Sequence, residues 1–160
     1  MTKVLIFGYG NPDRQDDGVA WHIMRKVAEN LRDLPLPATC DDEFANSLPD
    51  VAFFYDLQLT PDKAEFVAGF EQVIFVDAHT GAVPEEIHDE GLIPQYQRSP
   101  FTHHMTPQTL LSFAKSLYAS EVTGRLISVR GYEFGFSNEL SSQTMELASK
   151  AADLILKYLD

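Results

Sequence analysis

Apolar residues fall into two kinds of run along this chain of 160 residues. Short blocks at 4–7, 51–57, 73–76 and 126–129 have the length and the Val, Ile and Phe content of strands covered on both faces. Between them the apolar positions recur at helical spacing. Val19, Ile23, Val27 and Leu31 make one stripe, widened by Trp21 and Met24. Ala64, Phe66, Val67 and Phe70 make a second. Leu110, Leu111, Ala114 and Leu117 make a third, and Leu147, Ala151, Leu154, Ile155 and Tyr158 a fourth.

Helix boundaries are also legible. Thr60-Pro61 and Thr106-Pro107 each pair a capping hydroxyl with a proline suited to the first helical position. Ser141 is placed to cap the last helix, and Asp16 or Asp17 the first, with Gly18 allowing a tight entry. Leu34-Pro35-Leu36-Pro37 ends that first helix. Residues 39–50 admit either a short strand or a loop. Residues 85–93 are polar and compatible with an edge strand, and 98–105 read as a loop.

Strands alternating with helices predict an α/β fold. It is a three-layer sandwich, with a mainly parallel twisted sheet and helices on both faces. The whole chain, 1–160, reads as a single domain. The carboxyl ends of the parallel strands then share one edge, where open α/β sheets place their ligands. Segments 10–17, 77–80 and 131–133 emerge there.

Composition narrows the partners. Hydrophobic residues make up 44% and charged residues 22%, ordinary values for a soluble globular domain. The formal net charge of −12 opposes phosphate backbones and argues against nucleic acid. It favours a cation or a basic partner. The single cysteine, Cys40, cannot form an internal disulfide and reads as a small structural hydrophobe. No stretch reaches the roughly 18–20 apolar residues of a membrane span. The opening apolar run is too short for a signal peptide, so the expected location is cytoplasmic, with no membrane partner.

The candidate chemistry is acidic. Gly8-Tyr9-Gly10 has the start of a nucleotide-binding glycine loop, but Asp13 stands where a third glycine is needed. Asp13, Asp16 and Asp17 would repel a phosphate and suit a cation. Taken alone, the simpler reading of these acids is that they favour a helix N-terminus. Asp77 changes the balance, because it ends a central strand beside that loop and adds a further carboxylate. Unpaired carboxylates raise one another's pKa, and a divalent cation removes that cost.

His103 and His104 precede the third helix and can supply imidazole at the same edge. His79, two residues after Asp77, is a further ligand or a second hydrogen-bonding partner. His22 and His88 read as packing or surface residues. Glu133 could join the site, pair with Arg130 or cap a turn. There is no HExxH, GxSxG or GxxxxGK(S/T) pattern, and no cysteine beside a histidine.

Three segments together resemble a known family, the maturation endopeptidases of nickel-iron hydrogenases. Residues 5–19, LIFGYGNPDRQDDGV, look like its opening G-x-G-N-x-x-x-x-D-(D/E)-x-(V/I)-G signature. Residues 73–78, VIFVDA, look like its V-D-A strand end. Residues 102–107, THHMTP, with Leu110-Leu111 following, look like its H-x-(L/M)-(S/T)-(P/L)-x-x-(L/V)-L segment. Gln58-Leu59-Thr60-Pro61 and Gly131-Tyr132-Glu133 are similar to family features too. Where some members carry a Gly-Thr-rich turn, this chain has Asp56-Leu57-Gln58-Leu59, as in another branch.

The resemblance implies a five-stranded sheet between helices. It also implies a metal site of two carboxylates and one histidine, falling on Asp17, Asp77 and His103. His104 is the alternative imidazole. Asp16 and Glu133 are secondary candidates for moving protons or supporting the ligands. The implied activity is removal of a C-terminal extension from the hydrogenase large-subunit precursor after nickel insertion. In that scheme nickel arrives with the substrate, and other divalent metals could substitute for it. The rival reading is a non-catalytic nickel-sensing or chaperone module for the same large subunit.

Overall fold

The computed structural model describes residues 3–32, 36–40, 43–96 and 105–160. Its strands are β1 (Val4–Tyr9), β2 (Phe44–Ser47), β3 (Val51–Asp56), β4 (Gln72–His79), β5 (Ile87–Leu92) and β6 (Thr123–Arg130). Its helices are α1 (Val19–Arg32), α2 (Ala64–Ala68), α3 (Pro107–Tyr118) and α4 (Ser142–Tyr158). The sheet order is β2-β3-β1-β4-β6-β5. The four inner strands are mutually parallel, and β2 and β5 add antiparallel edges.

The continuous apolar runs follow from this layering. Along β1, Ile6 joins the core beneath α1 and α4, while Leu5 and Phe7 join the core beneath α2 and α3. Side chains alternate between faces, so a strand buried on both sides needs every position apolar. β3 and β4 divide in the same way, with Phe53, Tyr55, Ile74 and Val76 on the first side and Phe54, Val73 and Phe75 on the second.

The sheet has six strands, not the five implied by the resemblance. The extra one is β2, in the segment that admitted strand or loop. Its four residues are FANS, too short and too polar to show a period. Pairing with β3 supplies its backbone partners, and Phe44 anchors it by an edge-on ring contact with Trp21, centroids 5.1 Å apart.

The second helix is shorter than its stripe suggests. Thr60 makes no capping hydrogen bond to the backbone, and Pro61–Lys63 form a 3-10 turn before α2. The chain leaves the helix by Gly69 because Glu71 and Gln72 must both donate to the Lys3 carbonyl, at 3.1 and 3.0 Å, to start β4 beside β1. The other two caps form. Thr106 Oγ1 accepts from the Thr109 N–H at 3.2 Å, and Ser141 Oγ from the Thr144 N–H at 3.4 Å. Among the described residues, no helix is long and apolar enough to cross a membrane.

Candidate active site

The chain passes from β1 to β3 on one side and from β3 to β4 on the other side of β1. The gap at the carboxyl ends of β1 and β4 is therefore a topological switch point. Two of the three proposed ligands lie there.

Asp17 arrives by a sharp reversal. Gly10 has φ +133°, and a Cβ there would lie 2.2 Å from the Asp17 carbonyl oxygen. No L side chain is compatible with that approach. The buried Tyr55 hydroxyl donates to the Gly10 carbonyl at 2.8 Å and holds the turn down. The chain then folds back, and the Asn11 N–H donates to Asp17 Oδ2 at 2.8 Å. Asp17 and Asp16 sit in a 3-10 turn, Gln15–Gly18, ahead of α1.

Asp77 lies on β4, in register with Ser128 of β6. Its Oδ1 accepts from the Ala78 N–H at 2.7 Å, and the Tyr9 phenol donates to the same carboxylate. Burial, reinforced by the charge of Asp17, raises its pKa from 3.8 to about 7 against those two donors. The Tyr9 phenol is pushed well above its ordinary value, first by burial and then by Asp77.

Asp17 and Asp77 line one cavity of roughly 320 Å³. Tyr9, the Gln58-Leu59 segment and Met105 to Pro107 complete its wall. His103 and His104 lie outside the described residues. Among the described residues, no three of His, Cys, Asp and Glu converge as a metal cluster. Tyr9 was not singled out as a site residue from the sequence. Its place at the last position of β1, directly before Gly10, is the signal that could have marked it.

No family model matches this chain, and no curated protein matches it. Solved structures do. The NiFe hydrogenase maturation protease HycI of Thermococcus kodakarensis KOD1 superposes with a TM-score of 0.62 at 25% identity, covering 98% of this chain and 91% of its own. A hydrogenase 2 maturation peptidase from a Thaumarchaeota archaeon gives 0.62 at 25% identity, covering 99% and 98%. The hydrogenase maturating endopeptidase HybD of E. coli gives 0.68 at 14% identity, covering 99% and 92%. The chain has the fold of the NiFe hydrogenase maturation proteases.

Within this maturation-protease fold the remaining candidates are placed differently. Asp16 does not line the cavity. It is wholly buried. Its Oδ2 accepts from the Tyr132 and Glu133 N–H groups, each at 2.8 Å, from Ser141 Oγ at 2.6 Å and from Thr144 Oγ1 at 2.9 Å. Its Oδ1 accepts from the Ser141 N–H at 2.8 Å. Burial pushes its pKa upward, but the donated hydrogen bonds outweigh that and hold it below the ordinary value. Asp16 is thus a clamp between the β1 loop and the start of α4, not a proton carrier facing the cavity and not a cap of α1.

Glu133 is exposed and lies on the segment that Asp16 grips. Neither a cavity contact nor a pairing with Arg130 places it in the site. Arg130 instead lies over the Tyr132 ring, 4.7 Å from its centroid. His79 is occupied at both ring nitrogens, by Ser128 Oγ at 2.8 Å and the Glu85 carbonyl at 2.7 Å. His22 contacts the Asn138 carbonyl at 3.2 Å, and His88 contacts Glu90 at 2.7 Å.

Proposed function

We propose that this protein is a metal-dependent endopeptidase of hydrogenase maturation. It removes a C-terminal extension from a nickel-iron hydrogenase large-subunit precursor once nickel is in place. The observation that carries the reading is the pairing of Asp17 and Asp77 around one cavity at the switch point of this fold. The similar structures are maturation proteases, peptidases and endopeptidases, which supports the reaction class.

The donor set suits a cation. Two carboxylates share a cavity, and the charge of Asp17 disfavours ionisation of the buried Asp77. A divalent ion converts that repulsion into attraction. Oxygen donors with one imidazole suit a first-row metal such as nickel. His103 is the third donor in this proposal. It precedes by two residues Met105, which lines the cavity.

The ion is brought as part of the substrate and supplies positive charge beside the scissile peptide. The chain's own residues do the rest. Asp17, held by the Asn11 N–H, and Asp77, held by the Ala78 N–H, present oxygens at fixed positions. The Tyr9 phenol fixes the Asp77 carboxylate and can hold a proton there. Gln58 to Leu59 and Met105 to Pro107 wall the cavity. Such a protein samples nickel loading before cutting, because an empty precursor offers these acids no ion to meet.

The test incubates nickel-loaded precursor with the wild-type protein and with Asp17→Ala, Asp77→Ala and His103→Ala. Shortening of the large subunit is followed on a gel, and its C-terminus is measured by mass spectrometry. The wild type yields the shortened subunit and the three folded variants do not. An intact C-terminus with wild type would leave a nickel-sensing module; full processing by the variants would end the site assignment.

A further inference from the structure

The segment after β6 is held by its backbone while its aromatic side chains stay outside. Gly131 N–H donates to the His79 carbonyl at 2.8 Å. Asp16 takes the N–H groups of Tyr132 and Glu133, and Gln15 Oε1 takes that of Gly135 at 2.8 Å. Ser137 closes the run, donating to the Asp13 carbonyl at 3.1 Å and accepting from the Gln15 N–H at 2.8 Å. Gln15 adopts φ 51° to do this, an uncommon conformation for a residue with a side chain.

On this pinned backbone stand Tyr132, Phe134 and Phe136, with relative exposures of 36%, 36% and 98%. Phe134 rests on Gly131, where a Cβ would come within 2.6 Å of its ring. The Tyr132 hydroxyl donates to Glu86. Phe136 projects into solvent. Leaving a phenylalanine side chain exposed forgoes the stabilisation that burial gives. Exposed aromatics on a rigid frame are what protein interfaces use as anchors, because little freedom is lost on binding.

The location ties the loop to the cavity. Its first residue is bonded to His79, two positions beyond Asp77, and its backbone is gripped by Asp16, next to Asp17. Its surroundings are acidic. Glu133 is on it, Glu86 is bonded to it, and Asp13 and Glu139 flank its end, against Arg14 and Arg130. The whole chain carries −12.

We infer that residues 131–137 form the docking surface for the precursor polypeptide, receiving an apolar side chain flanked by Lys or Arg. This rests on the function proposed above and adds where the substrate is gripped. Asp16 then acts as a positioning residue, fixing the docking loop relative to the cavity.

The test measures processing kinetics and equilibrium binding with nickel-loaded large-subunit precursor of the same organism. Phe136→Ala raises KM and Kd by about tenfold, as expected for an interface anchor, with kcat at saturation unchanged. Tyr132→Ala/Phe136→Ala raises them further, and Phe136→Tyr largely restores them. Glu139→Lys weakens binding and flattens its salt dependence. If the wild type cleaves and Phe136→Ala keeps KM within about twofold, the docking surface is wrong while the protease reading stands. If the wild type binds through Phe136 without cleaving, the docking surface stands and the protease reading falls. No binding at all overturns both. A wild-type dimer that Phe136→Ala dissociates, with KM unchanged, would assign the surface to a second copy instead.

Discussion

Two carboxylate sites at one sheet edge are built in opposite ways. Around Asp16 the protein gathers the hydroxyls of Ser141 and Thr144 and three backbone N–H groups, and the charge is satisfied within the chain. Around Asp77 it supplies one backbone N–H and one phenol, then sets Asp17 nearby and leaves the space between them open. The first site spends its acid on joining segments far apart in the chain. The second gives its acids fewer donors and leaves a cavity between them. Burial alone does not separate structural from functional carboxylates; the supply of donors does.

The sharpest way to break this comparison is Asp16→Ala. It leaves the Ser141 hydroxyl and three N–H groups, those of Tyr132, Glu133 and Ser141, without their acceptor, so the protein should lose roughly 3–5 kcal/mol of stability. Urea unfolding measures this, and a loss under about 1 kcal/mol would show that Asp16 is not the clamp described.

The two acids should also respond oppositely to pH. Asp77 is raised to about 7 in the folded protein, so its ionisation costs stability as pH climbs from about 4 to 7. Asp77→Asn should therefore gain roughly 1–3 kcal/mol over wild type near pH 8 and little near pH 4. Asp16 is lowered, so its contribution is present above the unfolded value of 3.8 and is lost as pH falls through the folded value. Wild type should outlast Asp16→Asn at neutral pH, with the gap narrowing in acid. Parallel pH profiles for the two variants would contradict the contrast.

Ser141→Ala is a smaller test of the first site. It removes one donor to Asp16 and the cap of α4, and should cost about 1–2 kcal/mol by thermal unfolding. The smallest expected effect is at the second site. Tyr9→Phe deletes a donor that favours ionised Asp77, so the Asp77 pKa should rise further while stability shifts by less than about 1 kcal/mol. Carbon-detected NMR titration of the Asp77 carboxyl reads this directly, and a fall in pKa would refute the hydrogen bond's role.

Legibility in the sequence followed the range of each interaction. The inner strands show because a stretch covered on both faces must be apolar throughout, as 4–7, 51–55 and 73–76 are. The caps at Thr106 and Ser141 show because a cap acts within three residues. β2 does not show, since FANS is held by pairing with β3 and by Trp21, not by its own pattern. The Thr60 cap was expected and does not form; Pro61–Lys63 make a 3-10 turn there instead.

At the site, Asp77 is visible from its place after the apolar run of β4, and Asp17 from the acidic loop that follows β1; that much is intrinsic to the order of residues. The resemblance pointed to Asp17 over Asp16, but which member of the pair faces the cavity is physically decided by folding. Asp16 meets partners 116 to 128 residues away, and no local pattern encodes so distant a meeting. The sequence by itself determined the element types, the layering and the acidic character of the sheet edge, since these depend on periodicity and on side-chain chemistry. Only the tertiary structure decided that one of two adjacent carboxylates is consumed in binding the chain to itself while its neighbour shares a cavity with Asp77. That outcome depends on which donors long-range packing delivers to each oxygen.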